Sequence, residues 1–228
     1  MLNILSGIMS QSLSMGTCLL CKGSFKRAAM TRHLSTCGLP DHKAEKQTLN
    51  QSLHLFVEAR HSTAYWMHLA VPAASQLSTV DSFLRRIWLE CCGHLSAFNI
   101  GGMSYSSSPM REDDELGMGT RLSAVLQPGM SCFYEYDFGS TTELKLKFVG
   151  LREQATKKSG VQLLARNDAP IVTCDQCGNH PAIQICTECA WEDKGWLCEA
   201  CAAGHECGEE MFLPVVNSPR VGVCGYTG

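Results

Sequence analysis

Between Cys174 and Cys207 the chain carries Cys-x-x-Cys three times and then His-x-Cys, which pairs Cys174 with Cys177, Cys186 with Cys189, Cys198 with Cys201 and His205 with Cys207. Sulfur at this density serves disulfides, thiol redox chemistry or zinc. A Cys-x-x-Cys knuckle offers two thiolates from one tight turn and zinc takes four ligands in a tetrahedron, so four pairs supply two closed sites. Alternating pairs would put Cys174, Cys177, Cys198 and Cys201 on one ion and Cys186, Cys189, His205 and Cys207 on the other. Sequential pairs would give two independent ribbons, and Cys224 rivals Cys207 as the last ligand. The spacing leaves these choices open. A redox role needs a low-pKa Cys-x-x-Cys at a helix start in a βαβ setting, which this stretch lacks.

A second set lies near the N-terminus. Cys18 and Cys21 form a knuckle, and His33 and Cys37, four residues apart, share one face of a helix. With Phe25 and Leu34 as core residues, this stretch resembles a small CCHC zinc finger of the ββα kind. The alternating arrangement of the C-terminal pairs would resemble B-box, ZZ or RING-type modules. Together the two regions predict about three zinc ions per chain, structural because sulfur suffices to close each site. The C-terminal segment is too short to bury a core of its own, so its metal binding and folding should be one process.

Other chemistry is thinner. Cys91 and Cys92 with His94 make a possible redox or metal fragment, but Cys91 also continues an apolar helix face and is expected to pack in the core. Asp113, Asp114, Glu135 and Asp137 are the acidic group that a metal-dependent enzyme acting on nucleic acid would use. Strand alternation puts Glu135 and Asp137 on one face. His42, His54, His61, His68 and His180 show no ligand spacing.

The elements that must hold these residues follow from periodicity. LHLFVEAR and AYWMHLAVP alternate as two strands, the second ended by Pro72. Ser78 and Asp81 suggest a capping box, followed by an apolar helix face of Val80, Phe83, Leu84, Ile87, Trp88 and Cys91 closed by Gly93. HLSAFNIGGMSY reads as a strand broken at its glycines, GMGTRLSAVLQPG as a short helix or turn. SCFYEYDFG, TELKLKFVGL and GVQLLARN are strand-like, with Tyr134, Tyr136 and Phe138 expected on one face. The fold class expected is α+β, a mostly antiparallel sheet with packed helices flanked by two small zinc modules. The organisation is a disordered leader over 1–16, a CCHC finger over 17–46, an α+β domain over 51–167 and a cysteine-rich two-zinc module with tail over 170–228.

The middle domain also resembles the plasmid pRiA4b ORF-3-like family, insertion-element passenger proteins with a TnpR-like label. The match runs through LHLFVEAR and YWMHLAVP, TVDSFLRRIWLECCG leading into HLSAFNI, Tyr105, and TRLSAVLQPGMSCFYEYDFG. The tail ending in NSPRVGVCGYTG is similar to tails attached to this domain in some relatives. The resemblance implies an α+β fold and association with mobile elements, without an established reaction. Members commonly continue YDFG with Asp-Gly-Trp, an acidic residue and His; here Ser140, Thr141, Thr142 and Glu143 follow, so ligands or acid-base groups drawn from that Asp and His are absent.

Composition bounds the rest. The 228 residues are 45% hydrophobic and 18% charged, and no apolar run reaches the length of a membrane span. Without a secretory signal, 14 cysteines point to a reducing, cytoplasmic setting. The net charge of -3 argues against a nucleic-acid binder over its whole surface. Its distribution is uneven: Lys22, Lys26, Arg27, Arg32, Lys43 and Lys46 make the finger region basic, whereas the C-terminal module is strongly acidic. These features predict a non-enzymatic zinc-binding adaptor. Its acidic module would meet a protein partner, and its finger would make weak nucleic-acid contacts.

Overall fold

The run Ser62–Pro72 is a strand buried on both faces, every residue from Tyr65 to Val71 being inaccessible. Alternation accounts for one face; the second needs a cover, and what supplies it organises the molecule. The computed structural model describes residues 14–39, 50–110, 115–154 and 160–228. The expected leader, apart from its last three residues, the end of the expected finger segment, His42, Asp113 and Asp114 lie outside them.

In chain order the N-terminal unit is β1 (Met15–Cys18), β2 (Ser24–Lys26) and α1 (Arg27–Leu34). The middle comprises β3 (Asn50–Ala59), β4 (Ser62–Pro72), α2 (Leu77–Leu84), β5 (Ser96–Ile100), β6 (Met103–Ser106), β7 (Leu116–Gly117), α3 (Leu122–Val125), β8 (Ser131–Tyr136), β9 (Thr142–Gln154) and β10 (Gln162–Asn167). The C-terminal part holds β11 (Gln184–Cys186), β12 (Trp196–Leu197), α4 (Glu199–Ala203) and β13 (Phe212–Pro214).

Ten strands form one sheet in the order β2-β1-β10-β4-β3-β9-β8-β5-β6-β7, antiparallel except for the β6–β7 pair. Strand content of 38% against 19% helix makes this sheet the frame. The α-helices described are short, the longest having eight residues, so the expectation of packed helices reduces to small pieces laid on a sheet. On the inner face Tyr65, Met67, Leu69 and Val71 of β4 join Leu53, Leu55 and Val57 of β3 and the buried side of α2 in the main core. On the outer face Trp66 and Ala70, with Leu164 and Ala165 of β10, meet Met30 and Leu34 of α1. The finger is the cover.

Its attachment is by backbone as well as side chain. β1 pairs with β10, Gly16 opposite Asn167 and Cys18 opposite Ala165, which carries the finger hairpin into the main sheet. Gly16 is required there because a Cβ would sit 2.5 Å from both the Trp66 ring and the Arg166 carbonyl oxygen. The Trp66 indole N–H donates to Ser14 Oγ at 2.7 Å. The Arg152 guanidinium, buried beneath α1, donates to the carbonyls of Leu34 and Cys37 and so satisfies acceptors that the helix end leaves open.

Two expectations about α2 are corrected. Gln76, not Ser78, is the N-cap residue, and no side chain caps it. Asp81 instead accepts hydrogen bonds from Ser96 Oγ at 2.6 Å and Tyr134 Oη at 2.8 Å. The helix then widens into a π-turn over Arg85–Leu89 and leaves helical geometry at Glu90. The wide turn breaks the 3.6-residue register, and Cys91, which lies beyond the helix, is still partly buried against the main core. Phe138 also departs from expectation: it is exposed, because Asp137 takes a left-handed conformation that ends the strand face of Tyr134 and Tyr136.

The C-terminal module has its own sheet, in the order β12-β11-β13. Ile185 and Trp196 face the main core, whereas Cys186 and Leu197 face a small cluster made chiefly of cysteine. Among the described residues no helix is long and apolar enough to cross a membrane.

Candidate metal centres

The finger hairpin and helix bring Cys18, Cys21, His33 and Cys37 together, with all four ligand atoms within 4.8 Å of one another. Cys18 Sγ lies 3.9 Å from Cys37 Sγ, and Cys21 Sγ 3.3 Å from His33 Nε2. The β1–β2 turn makes the knuckle, with Lys22 at positive φ, and α1 presents His33 one turn before Cys37. Phe25 stacks on the His33 ring at 3.9 Å between centroids and fixes its plane.

In the C-terminal module the pairs alternate. Cys174, Cys177, Cys198 and Cys201 form one set, and Cys186, Cys189, His205 and Cys207 the other. This is the cross-brace topology rather than two successive ribbons. β11 ends in Cys186 of the second set, and α4 holds Cys198 at its N-cap and Cys201 in its first turn for the first set. Cys177 Sγ is 3.8 Å from Cys198 Sγ; Cys189 Sγ is 3.8 Å from Cys207 Sγ and 3.4 Å from His205 Nε2.

These separations are not those of disulfides and are compatible with metal ligation. A disulfide requires about 2.05 Å between sulfurs. Tetrahedral zinc with Zn–S near 2.3 Å gives sulfur–sulfur edges of about 3.8 Å, which is what the three sets show. The electrostatics agree. Burial raises the Cys174 thiol, but the backbone N–H groups of Cys177, Cys198 and Gln176 together outweigh it and bring it down to about 6. In the same set Cys201 is pushed up to about 12, first by its hydrogen bond with Cys198 and then by burial. In the finger, burial pushes Cys37 up to about 12. Four thiols crowded together cannot all ionise unless a cation compensates them.

A fourth set was not assembled from the sequence. Cys91, Cys92 and His94 follow the π-turn, and Cys224 comes from the tail; their ligand atoms also lie within 4.8 Å of one another. The adjacent cysteines and nearby histidine were a visible signal, and so was Cys224, which the sequence set against Cys207 as last ligand of the C-terminal module and which the structure places here instead. What joined them was invisible, since Cys91 fits the period of a helix that in fact stops short of it. Four Cys/His sets therefore could hold metal ions. Cys132 lies apart from them, buried in the main core.

The acidic pair does not form a site. Glu135 is half-buried on β8, whereas Asp137 is buried past the strand end with both oxygens engaged. Oδ1 accepts from the amides of Gly139 and Ser140 at 3.0 and 3.2 Å, and Oδ2 from Arg220 Nη2 at 2.6 Å. Burial opposes ionisation, but the Arg220 hydrogen bond and the two amides hold the Asp137 carboxyl below its ordinary value.

Between α1 and the outer face of the sheet runs an open groove of about 460 Å³, lined by Arg27, Thr31, Phe56, Glu58, Lys145 and Lys147. Arg27 pairs with Glu58. Below the finger, His54 and His68 form a buried pair, His54 Nε2 lying 2.9 Å from His68 Nδ1.

No family model matches the chain, and no curated protein matches it. Among solved structures it is similar to a crystal structure of a protein of unknown function from Methanosarcina mazei Go1. That similarity has 17% sequence identity and a TM-score of 0.43, over 51% of this chain and 68% of that one.

Proposed function

We propose that this chain is a non-enzymatic zinc-binding adaptor in which the finger set and the two cross-brace sets hold structural zinc. The observation that carries the reading is that each set supplies four Cys/His ligands at tetrahedral edge distances. A catalytic zinc keeps one position for water or substrate, and these sets leave none. Against the enzymatic alternative, Asp137 is committed to Arg220 and to its own turn, which leaves Glu135 without the partner such a site needs.

The two ends of the chain suit different partners. Lys22, Lys26 and Arg32 are exposed on the finger, and Lys145 and Lys147 line the groove beside it, a cationic face fit for phosphates. The exposed Glu188, Glu192, Asp193, Glu199, Glu206, Glu209 and Glu210 region repels nucleic acid and suits a basic protein surface. The mobile-element association implied by the pRiA4b ORF-3-like resemblance belongs to the same proposal.

The test is metal content of the full chain, purified under reducing conditions, by mass spectrometry. Cys18→Ser with Cys21→Ser should remove one zinc, and Cys174→Ser with Cys177→Ser one or two. Wild-type protein without zinc would sink the reading.

A further inference from the structure

The tail sequence NSPRVGVCGYTG has no regular secondary structure, yet its Asn217, Ser218 and Arg220 side chains all bond to the central domain. Asn217 exchanges hydrogen bonds with Asn167 at the end of β10: its Nδ2 donates to the Asn167 carbonyl at 3.0 Å, and Asn167 Nδ2 donates to its Oδ1 at 2.8 Å. Ser218 Oγ donates to the Trp88 carbonyl in the π-turn at 2.6 Å. Arg220 is wholly buried. Its Nη1 donates to Ser140 O and Thr142 Oγ1, both at 3.1 Å, and its guanidinium lies 4.8 Å from the centre of the Tyr136 ring. Gly222 then turns at positive φ against Ile185, where a Cβ would meet that side chain at 2.7 Å. These contacts deliver Cys224, itself at positive φ, to Cys91, Cys92 and His94.

We propose that Cys91, Cys92, His94 and Cys224 are a fourth zinc site, which fastens the C-terminal tail to the central sheet. The distances have the signature of the other three sets. Cys91 Sγ and Cys92 Sγ are 3.7 Å apart, Cys92 Sγ and Cys224 Sγ 3.7 Å, and Cys224 Sγ and His94 Nε2 3.6 Å, with Cys92 Sγ nearer the imidazole at 2.9 Å. None is a disulfide distance, and the sulfur pairs match the edge of about 3.8 Å expected for tetrahedral zinc. Three soft thiolates and one imidazole select zinc over the hard cations, which take oxygen.

The surroundings are those of a metal-bound thiolate. Arg220 Nη2 donates to Cys91 Sγ at 3.4 Å while it holds Asp137 at 2.6 Å. Zinc with three thiolates carries net negative charge, and an arginine donating to one sulfur offsets it, the usual work of groups just outside the ligands. The His94 ring stands edge-on to Tyr136 at 5.7 Å, and its Nε2 also faces Asp137 Oδ2 at 3.5 Å, so the nitrogen that points into the set lies in a field that favours a cation. Four protein ligands close the site, which makes its role structural.

This inference shares with the proposed function the reading that these thiols meet zinc, and its test separates the two. Zinc per full chain is measured under reducing conditions on wild type, on Cys224→Ser and on Cys92→Ser, with hydrogen exchange of residues 217–226. Four zincs in wild type and three in either variant, with a tail exchanging at least tenfold faster, are expected. Three zincs in wild type and no loss in Cys224→Ser would overturn this site alone, as would four retained in Cys224→Ser. Zero would overturn the proposed function with it. Should the variants fail to fold, cadmium-loaded wild type gives an independent count by 113Cd NMR. The fourth site requires three resonances of the three-sulfur, one-nitrogen type beside one of the four-sulfur type, and two of the former would overturn it.

Discussion

The finger and the cross-brace module both present Cys/His sets at zinc-like spacing, but they join the rest of the molecule by opposite means. The finger extends the main sheet through β1–β10 hydrogen bonds and sets Met30 and Leu34 on a platform of Trp66, Ala70 and Leu164. The cross-brace keeps a sheet of its own and encloses a cluster of Cys174, Cys186, Leu197, Cys198 and Ala202, so metal ligands supply much of its interior. One unit therefore has a structural reason to persist when its metal is gone. The other rests one face on the main core through Ile185 and Trp196 but has no ladder to the main sheet, and its cysteine-lined side depends on metal.

The strongest way to break this contrast is to remove one knuckle from each side. Cys174→Ser with Cys177→Ser should unfold the segment 172–214, because apparent zinc binding in small modules reaches about 10–16 kcal/mol and is folding energy. Hydrogen exchange across that segment should rise to the level of free chain, while residues 15–34 stay protected. The matching change, Cys18→Ser with Cys21→Ser, should leave β1 measurably protected by its ladder to β10. Equal collapse on both sides would erase the distinction.

A smaller effect sharpens the finger side. Trp66→Ala takes away the platform that Met30 and Leu34 cover, at a cost of about 3–5 kcal/mol for a buried tryptophan. The expected readout is a lower denaturation midpoint and faster exchange over residues 15–34 with zinc content unchanged. Loss of the finger's zinc in this variant would mean that seat and metal are a single unit.

The smallest effect is a pH dependence beneath that seat. Burial, reinforced by the Arg152 charge, pushes His54 down to about 4; burial, with the charges of His54 and Arg27, pushes His68 down to about 3. Both are neutral in the folded state. A depressed histidine leaves stability intact above its unfolded value near 6.5 and removes it as pH falls towards the folded value, because the unfolded chain binds the extra proton. Each histidine should therefore contribute about 1.4 kcal/mol per pH unit of acid destabilisation below 6.5. Denaturant midpoints in zinc-buffered solution, compared between wild type and His68→Leu, should show a shallower acid slope in the variant. Equal slopes would refute it.

What the sequence made legible was local. Cys18 with Cys21 and Cys198 with Cys201 are set by single turns, so their spacing alone exposed them. The strands LHLFVEAR and YWMHLAVP were equally plain, because alternation needs only neighbours. Their surroundings were not. Nothing in YWMHLAV says that Trp66 and Ala70 will be covered by residues 30 and 34, and the order of ten strands rests on pairings far apart in the chain. Cys91 hid among helical positions because a π-turn leaves no mark in a hydrophobic pattern. Asp137 looked available because its partner, Arg220, lies in the tail.

The antiparallel pairing of β1 with β10 also bears on how the molecule is made. Thr17 and Asp168, hydrogen-bonded across that edge at 2.8 Å, are 151 residues apart in sequence. Cys18, Cys21, His33 and Cys37 leave the ribosome together, well before β10. The edge they must join does not exist until β10 emerges, roughly 8–30 seconds later at about 5–20 residues per second. During that interval a metal-loaded finger would be a bead on a nascent thread, and β4 waits with its tryptophan face bare. If the finger takes up metal, that step can precede docking onto β10, so a shortage of the metal would be felt by this chain as a folding delay.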